Sequence, residues 1–263
     1  MPTGRRRQVL GVGVDAISVG AASKIVSWSQ GYQSRYACFA SANNVMQAHD
    51  SPEFRWIMNE ADLVVPDGMP VVWALRLLGA QHATRVYGPD FTLRMLEVAA
   101  RKGIPVGFYG ASPATLEGLV RIVRARFPAL EVPYAYSPPF RPLTTEEDEQ
   151  VVRNINQSGA RILFVGLGTP RQEYWMAAHK GRVQAVMLGV GAAFDFIAGA
   201  KPQAPRWMMR IGLEWFFRLC TEPRRLWRRY LLQNPRFVSL FTLQLLGWRK
   251  FSAGGPARGP LSG

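Results

Sequence analysis

The chain predicts an α/β fold: a Rossmann-like, mostly parallel sheet with helices on both faces, followed by a basic helical C-terminal appendage. Three observations carry this. Short apolar runs rich in β-formers alternate with helical stretches of ten or more residues through about residue 200, which is the pattern of βαβ units. Glycines and small polar residues collect just after those runs. Beyond Lys201-Pro202-Gln203-Ala204-Pro205 the alternation stops, and arginines interleaved with aromatics take over.

In chain order, residues 36–40 read as a strand with a helix opening near Asn43. Residues 63–65 form a second strand, closed by Pro66-Asp67-Gly68 and followed by a helix over 69–78. A helical stretch over 90–102 is stopped by Gly103; a strand over 106–109 turns at Gly110-Ala111. Ser112-Pro113, a cap with proline in the first turn, opens a helix to about Phe127. Residues 132–136 are strand-like. Thr144 or Thr145, with Glu146, Glu147 and Asp148 behind it, starts a capped helix with acids in its first turn. Residues 161–165 form a strand, 166–168 a turn, and a helix runs from Pro170; the last strand, 183–188, ends in Gly189-Val190-Gly191. The handedness of parallel crossovers then places helices on both faces.

In the appendage, a helix over 207–220 puts Ile211, Trp215 and Leu219 on one face. Thr221-Glu222-Pro223 caps a second helix, in which Arg224/Arg228 and Arg225/Arg229 are i,i+4 pairs. A third, amphipathic run over 237–248 is too short to span a bilayer and long enough to lie on one. The expected division is a core over 1–200, the appendage over 201–251 and a disordered Gly/Pro/Ser-rich tail over 252–263.

Lys and Arg number 32 against 18 Asp and Glu, a net charge of +14, which predicts a phosphate-bearing partner: nucleic acid, an anionic membrane or a phosphorylated substrate. Between Arg206 and Lys250 ten basic residues face only Glu214 and Glu222, so this segment alone holds +8. Cys38 and Cys220 sit in apolar runs and read as buried thiols in a reducing compartment. His49, His82 and His179 lack ligand spacing, so no zinc site is expected. Arg5-Arg6-Arg7 does not open a signal peptide, because the apolar run behind it is broken by Gly11, Gly13 and Asp15. No run reaches the roughly 18 apolar residues of a spanning helix.

Ligands of open parallel sheets bind at the carboxyl ends of strands, and here those ends carry Ser41, Asn43, Asp67, Gly68, Gly110, Ser112, Gly166, Gly168, Gln172, Gly189 and Gly191. Gly166-Leu167-Gly168 begins like a dinucleotide fingerprint, but its third glycine would fall at Arg171, and Gly11-Val12-Gly13 also lacks a continuation. Such turns are either tight strand–helix connections or, at Gly168, a way to present a helix N-terminus to phosphate. Asp67 is either a Pro-Asp-Gly turn residue bonding its own backbone or a general base, ionised at neutral pH with an unperturbed pKa of about 3.9. Glu173 is compatible with a first-turn helix acid, and Asp195 with a structural role as much as a ligand role. No Asp-x-Asp stands at a strand end, so a diphosphate, if bound, would be neutralised by arginines.

Several stretches occur in order: Ser41-Ala-Asn43, Ala61-Asp-Leu-Val-Val-Pro-Asp67-Gly68, Arg85-Val-Tyr-Gly-Pro-Asp90, Phe108-Tyr-Gly110-Ala111 and Val165-Gly-Leu-Gly-Thr-Pro-Arg-Gln172-Glu173. They are followed by Gly189-Val-Gly-Ala-Ala-Phe-Asp195-Phe196, Gly212-Leu-Glu-Trp-Phe-Phe-Arg218-Leu and Glu222-Pro-Arg-Arg-Leu-Trp-Arg-Arg-Tyr230. Together they resemble the WecG/TagA/CpsF family of bacterial glycosyltransferases over roughly residues 10 to 240. The resemblance implies inverting transfer of a hexose or N-acetylhexosamine from a UDP-sugar to a polyprenyl-diphosphate-linked sugar, on the inner face of the cell membrane, in exopolysaccharide, capsule, common-antigen or teichoic-acid synthesis. It implies a Rossmann-like fold, no divalent metal and no cofactor.

Carried over by motif, Asp67 would be the catalytic base, with Ser41 beside it where family members usually have Thr. Arg218, Arg225 and Arg228 would close over the diphosphate. Asn43, Arg85 and Gln172 would line the donor pocket, and Gly68, Asp90, Gly110, Gly168 and Glu173 complete the substrate-binding candidates. The partners implied are the UDP-sugar donor, the lipid-linked acceptor and the anionic inner-membrane surface, with homo-oligomerisation also compatible and nucleic acid not. Two rival classes stand beside this reading: a nucleic-acid-binding protein using the arginine-rich helices, which the interleaved Trp, Phe and Leu disfavour, and a dinucleotide-dependent oxidoreductase, which the broken fingerprint disfavours.

Overall fold

The structure, a computed structural model, describes residues 6–17 and 20–251. The tail predicted to be disordered, 252–263, lies outside them.

A hairpin of β1 (Arg7–Val9) and β2 (Val12–Val14) opens the chain. Its two-residue loop, Leu10-Gly11, has φ of 50° and 88°, the doubly positive turn that matches strand twist. Helix α1 (Gly20–Gln30) follows. Then come β3 (Arg35–Ala40), α2 (Ala42–Asp50), α3 (Pro52–Glu60), β4 (Leu63–Pro66), α4 (Met69–Leu77) and α5 (Gly88–Lys102). The second half runs through β5 (Val106–Gly110), α6 (Pro113–Arg126), β6 (Tyr134–Tyr136), α7 (Thr145–Ser158), β7 (Ile162–Gly166), α8 (Arg171–His179), β8 (Val186–Gly189) and α9 (Ala193–Ile197). Three helices close the described chain: α10 (Arg206–Arg210), α11 (Glu214–Thr221) and α12 (Pro223–Leu245).

Strands β3 to β8 form one six-stranded sheet in the order β4-β3-β8-β7-β5-β6, every pairing parallel. The period of two along each strand splits the core. Tyr36, Cys38, Leu163, Val165 and Met187 face one layer; Ala37, Phe39, Ile162, Phe164 and Leu188 face the other. The first layer is covered by α2, α3, α4, α7 and α8 through residues such as Met46, Phe54, Leu75 and Ile155. The second is covered by α1, α5, α6 and α9 through Ile25, Leu96, Leu119 and Phe194. The expected fold class is the observed one.

The appendage differs from its predicted form. The second and third predicted helices are one continuous helix, α12, with Pro235 inside it. Pro235 is exposed and removes one N–H from the helix ladder, and the next turn is held by packing. Phe237 and Phe241, stacked at 6.1 Å, are buried in the same core layer as α2 and α8. The end of α12 also clamps the hairpin: the Leu10 N–H donates to Gln244 Oε1 at 2.8 Å and Gln244 Nε2 donates to the Gln8 carbonyl at 2.7 Å. Cys38 is buried as expected, but Cys220 is exposed on α11, which buries no residue completely. Among the described residues no helix is long and apolar enough to cross a membrane.

Candidate active site

A cavity of about 280 Å³ opens at the carboxyl ends of β4, β3, β8 and β7, with α11 and the start of α12 as its far wall. The β3 end supplies Ser41 and Asn43. Ser41 is the N-cap of α2: its Oγ accepts the Asn44 N–H at 3.4 Å and donates to Asn44 Oδ1 at 2.5 Å. The hydroxyl proton is thus committed to the cap, and what Ser41 offers the cavity is a lone pair.

The β4 end supplies Asp67 and Gly68. The Asp67 N–H donates to the Ala40 carbonyl at 3.0 Å, which fixes the residue beside the β3 end. The Val86 N–H donates to the Pro66 carbonyl at 2.7 Å and lays the following loop against β4. That brings Arg85 onto Asp67: its Nε donates to the Asp67 carbonyl oxygen, and Nη2 stands 3.8 Å from Asp67 Oδ1. The same Oδ1 accepts the Gly88 N–H at 3.3 Å. Burial raises the Asp67 carboxyl above its ordinary range against the pull of Arg85; Glu214 adds to the rise, and Gly88 and Arg218 oppose it. The unperturbed pKa expected from sequence is therefore corrected upward, which makes Asp67 a stronger base.

The β7 and β8 ends supply Gly168, Gln172 and the glycines that admit them. A Cβ on Gly189 would lie 2.5 Å from Met176 and 3.2 Å from Gln172 Nε2, so only glycine lets the Gln172 amide reach the Gly189 carbonyl, which it does at 2.9 Å. Gln172 Oε1 is buried at the cavity wall with no hydrogen-bond partner. Arg218 and Arg225 enter from the appendage. Arg218 Nε is buried and unpartnered, its guanidinium over the Phe196 ring at 5.6 Å; Arg225 Nε pairs with Glu222 at 2.6 Å.

Of the sequence candidates, Ser41, Asn43, Asp67, Gly68, Arg85, Gly168, Gln172, Arg218 and Arg225 line this cavity. Four do not, each for a visible reason. Asp90 is paired with Arg206 on α10, Nη2 to Oδ1 at 3.0 Å. Gly110 packs strand ends together: its φ is 120° and a Cβ would lie 2.6 Å from the Gly166 backbone. Glu173 is fully buried behind the wall, where its Oε1 accepts from Asn44 Nδ2 at 3.2 Å, Thr169 Oγ1 at 2.9 Å and Gln172 Nε2 at 3.0 Å. Burial raises its carboxyl despite those donors. Arg228 is exposed, its guanidinium 5.3 Å from the Trp227 ring. Asp195 pairs with Lys201 at 2.9 Å, in keeping with a structural role.

Among the residues of the wall that sequence reasoning missed are Glu214 and Tyr87. Glu214 opens α11 and its Oε2 accepts from Arg85 Nη2. The hydroxyl of Tyr87, whose ring lies 4.4 Å from the Arg85 guanidinium, is buried without a partner. Glu214 lay within a motif already noted, but its partner is 129 residues away, which no local pattern reveals. Among the described residues no cluster of three or more His, Cys, Asp or Glu could hold a metal ion.

The strand ends of a parallel α/β sheet and the appendage thus bring two carboxylates, Asp67 and Glu214, and three arginines, Arg85, Arg218 and Arg225, to a single cleft. The chain belongs to the glycosyl transferase WecG/TagA/CpsF family, whose model matches residues 7–251, appendage included. It is 33% identical over 212 residues to an N-acetylglucosaminyldiphosphoundecaprenol N-acetyl-β-D-mannosaminyltransferase of Bacillus spizizenii, covering 79% of each chain. It is 31% identical over 183 residues, 69% of each chain, to the protein of the same name from Bacillus subtilis.

Proposed function

We propose that this glycosyltransferase moves a hexose or N-acetylhexosamine, with inversion, from a UDP-sugar to a polyprenyl-diphosphate-linked sugar in the synthesis of a bacterial surface polysaccharide. The observation that carries the reading is one cavity holding Asp67 from the core and Arg218 and Arg225 from the appendage. Inversion is a single displacement. It needs one base on the acceptor hydroxyl and one stabiliser for the departing diphosphate. The Asp67 carboxylate, set at the strand end and raised in basicity by burial, takes the hydroxyl proton as the new glycosidic bond forms. Arg218 and Arg225 meet the charge that grows on the UDP oxygens as the old bond breaks, a role that needs no metal ion. Ser41, Asn43 and Gln172 hold the donor, with the buried Gln172 Oε1 accepting a donor N–H or O–H.

The acceptor class follows the relatives, whose name specifies a diphosphoundecaprenol-linked sugar. The division of labour follows the predicted domains: a core to about residue 200 that supplies the base, and an appendage over 201–251 that supplies the arginines and lies on the inner membrane face. Trp207, Leu231, Leu232, Val238, Leu246 and Trp248 are exposed on that appendage among its arginines, which suits an anionic interface, each basic residue there contributing about 1 kcal/mol.

The test is a panel of UDP-sugars with a short-chain polyprenyl-diphosphate sugar, assayed with and without chelator. Transfer from one donor, unaffected by chelator, is expected. No transfer from any UDP-sugar, or strict dependence on Mg²⁺ or Mn²⁺, contradicts the reading.

A further inference from the structure

Arg85 stands between two carboxylates from different parts of the molecule. Asp67 belongs to the core strand end; Glu214 is the first residue of α11 in the appendage. The guanidinium donates through Nη2 to Glu214 Oε2 and stays 3.8 Å from Asp67 Oδ1, outside hydrogen-bond range. Its Nε is held by the Asp67 main-chain oxygen and its face by Tyr87. Both charged ends of the Arg85–Glu214 pair are largely buried, with side chains 16% and 14% exposed. An arginine fork beside an aspartate ordinarily closes on both carboxylate oxygens and holds the acid ionised and weakly basic. Here that closure is prevented, because the fork is engaged by Glu214.

We propose that Glu214 is a positioning residue: it reaches from the appendage to hold the Arg85 guanidinium off the Asp67 carboxylate, so that the carboxylate stays free and basic enough to accept the proton of the acceptor hydroxyl. This rests on Asp67 being the base. The charged and titratable groups that face Asp67 are Arg85, Glu214 and Arg218, with Tyr87 stacked on Arg85 and the Gly88 N–H on Oδ1. Of the side chains facing Asp67, Glu214 is the anion that raises its carboxyl; Arg85 and Arg218 lower it. The arrangement also ties basicity to the seating of the appendage. When α11 lifts away, Arg85 falls onto Asp67 and quenches the base. When α11 is seated, the base and the diphosphate-binding arginines are assembled together.

The experiment is the pH dependence of kcat for Glu214→Gln and Glu214→Asp in the full chain, with folding checked by circular dichroism and donor KM measured alongside. Glu214→Gln is isosteric and removes the charge. Losing the raising anion lets Arg85 act in full, so the acid limb of the profile moves to lower pH, while kcat at pH 7.5 drops roughly threefold to tenfold as the base weakens and donor KM changes little. Glu214→Asp keeps the charge but withdraws it by one methylene, and is expected to fall between the two. If both variants fold and keep the wild-type acid limb and kcat, the proposal is overturned. An equal loss at every pH with an unmoved limb also overturns it, since a merely structural role predicts that result. Full transfer by Asp67→Asn would instead defeat the assignment of the base, whatever Glu214 does.

Discussion

The core and the appendage are stabilised in different ways. In the core, strand residues such as Cys38, Phe164 and Leu188 are completely buried between two helical layers, and burial of apolar surface does most of the work. The appendage buries Leu226, Tyr230, Phe237 and Phe241 but leaves α11 with no fully buried residue. It docks through charge: Arg206 to Asp90, Arg236 to Asp50 and Glu214 to Arg85. The first two pairs are exposed and contribute little, about 0 to 1 kcal/mol each, and only the third is largely buried. The difference separates a rigid platform that fixes Asp67 from an arm whose seating is weakly held except along α12. The proposed reaction, which must admit a lipid-linked acceptor and a nucleotide sugar and then exclude water, has use for that inequality.

The strongest challenge to this contrast is Phe237→Ala. If α12 is the arm's true anchor, the variant loses about 3 to 5 kcal/mol, read as a lowered midpoint in urea, because a fully packed ring is deleted from the layer that holds α2. A change below about 1 kcal/mol would show that the anchor lies elsewhere. Next is Arg218→Ala, expected to lower kcat about 10²- to 10³-fold with little change in thermal midpoint if, as proposed, the residue serves the leaving group and not the fold. Steady-state transfer and a melting curve on one preparation separate the two outcomes.

A smaller effect concerns acidity. Because burial raises the Asp67 carboxyl, and only its ionised form can accept a proton, kcat should fall with decreasing pH through a value above the ordinary aspartate range of about 3.9. A limb at or below that value would place the base elsewhere. The smallest effect belongs to Arg228→Ala. Exposed and stacked near Trp227, outside the cavity wall, it should change turnover no more than about threefold, a difference worth less than 1 kcal/mol. A loss as large as that of Arg218→Ala would mean the arm closes further on substrate than its seated position here.

The sheet was legible because buried parallel strands are written as continuous apolar runs, as in Leu63-Val64-Val65 and Ile162-Leu163-Phe164-Val165. The hairpin was not, since strands of three residues carry too little pattern. The continuity of α12 was not legible either: its two halves read as separate helices, and packing of Phe237 and Phe241 holds the turn that follows Pro235. At the site, Asp67, Asn43 and Gln172 were legible from their places after strands. Asp90 and Glu173 were misplaced because a motif preserves residue type without saying whether the side chain turns to ligand, to Arg206 or to Asn44. Glu214 escaped notice because an ion pair across 129 residues exists only in the folded chain.

The central claim, that one core carboxylate and a borrowed set of arginines make a single active site, is tested most directly by transfer and UDP binding in Asp67→Asn. The variant should bind UDP within about threefold of wild type, since Arg218, Arg225 and Gln172 are untouched, while transfer falls about 10²- to 10⁴-fold. Transfer at the wild-type rate would contradict the account.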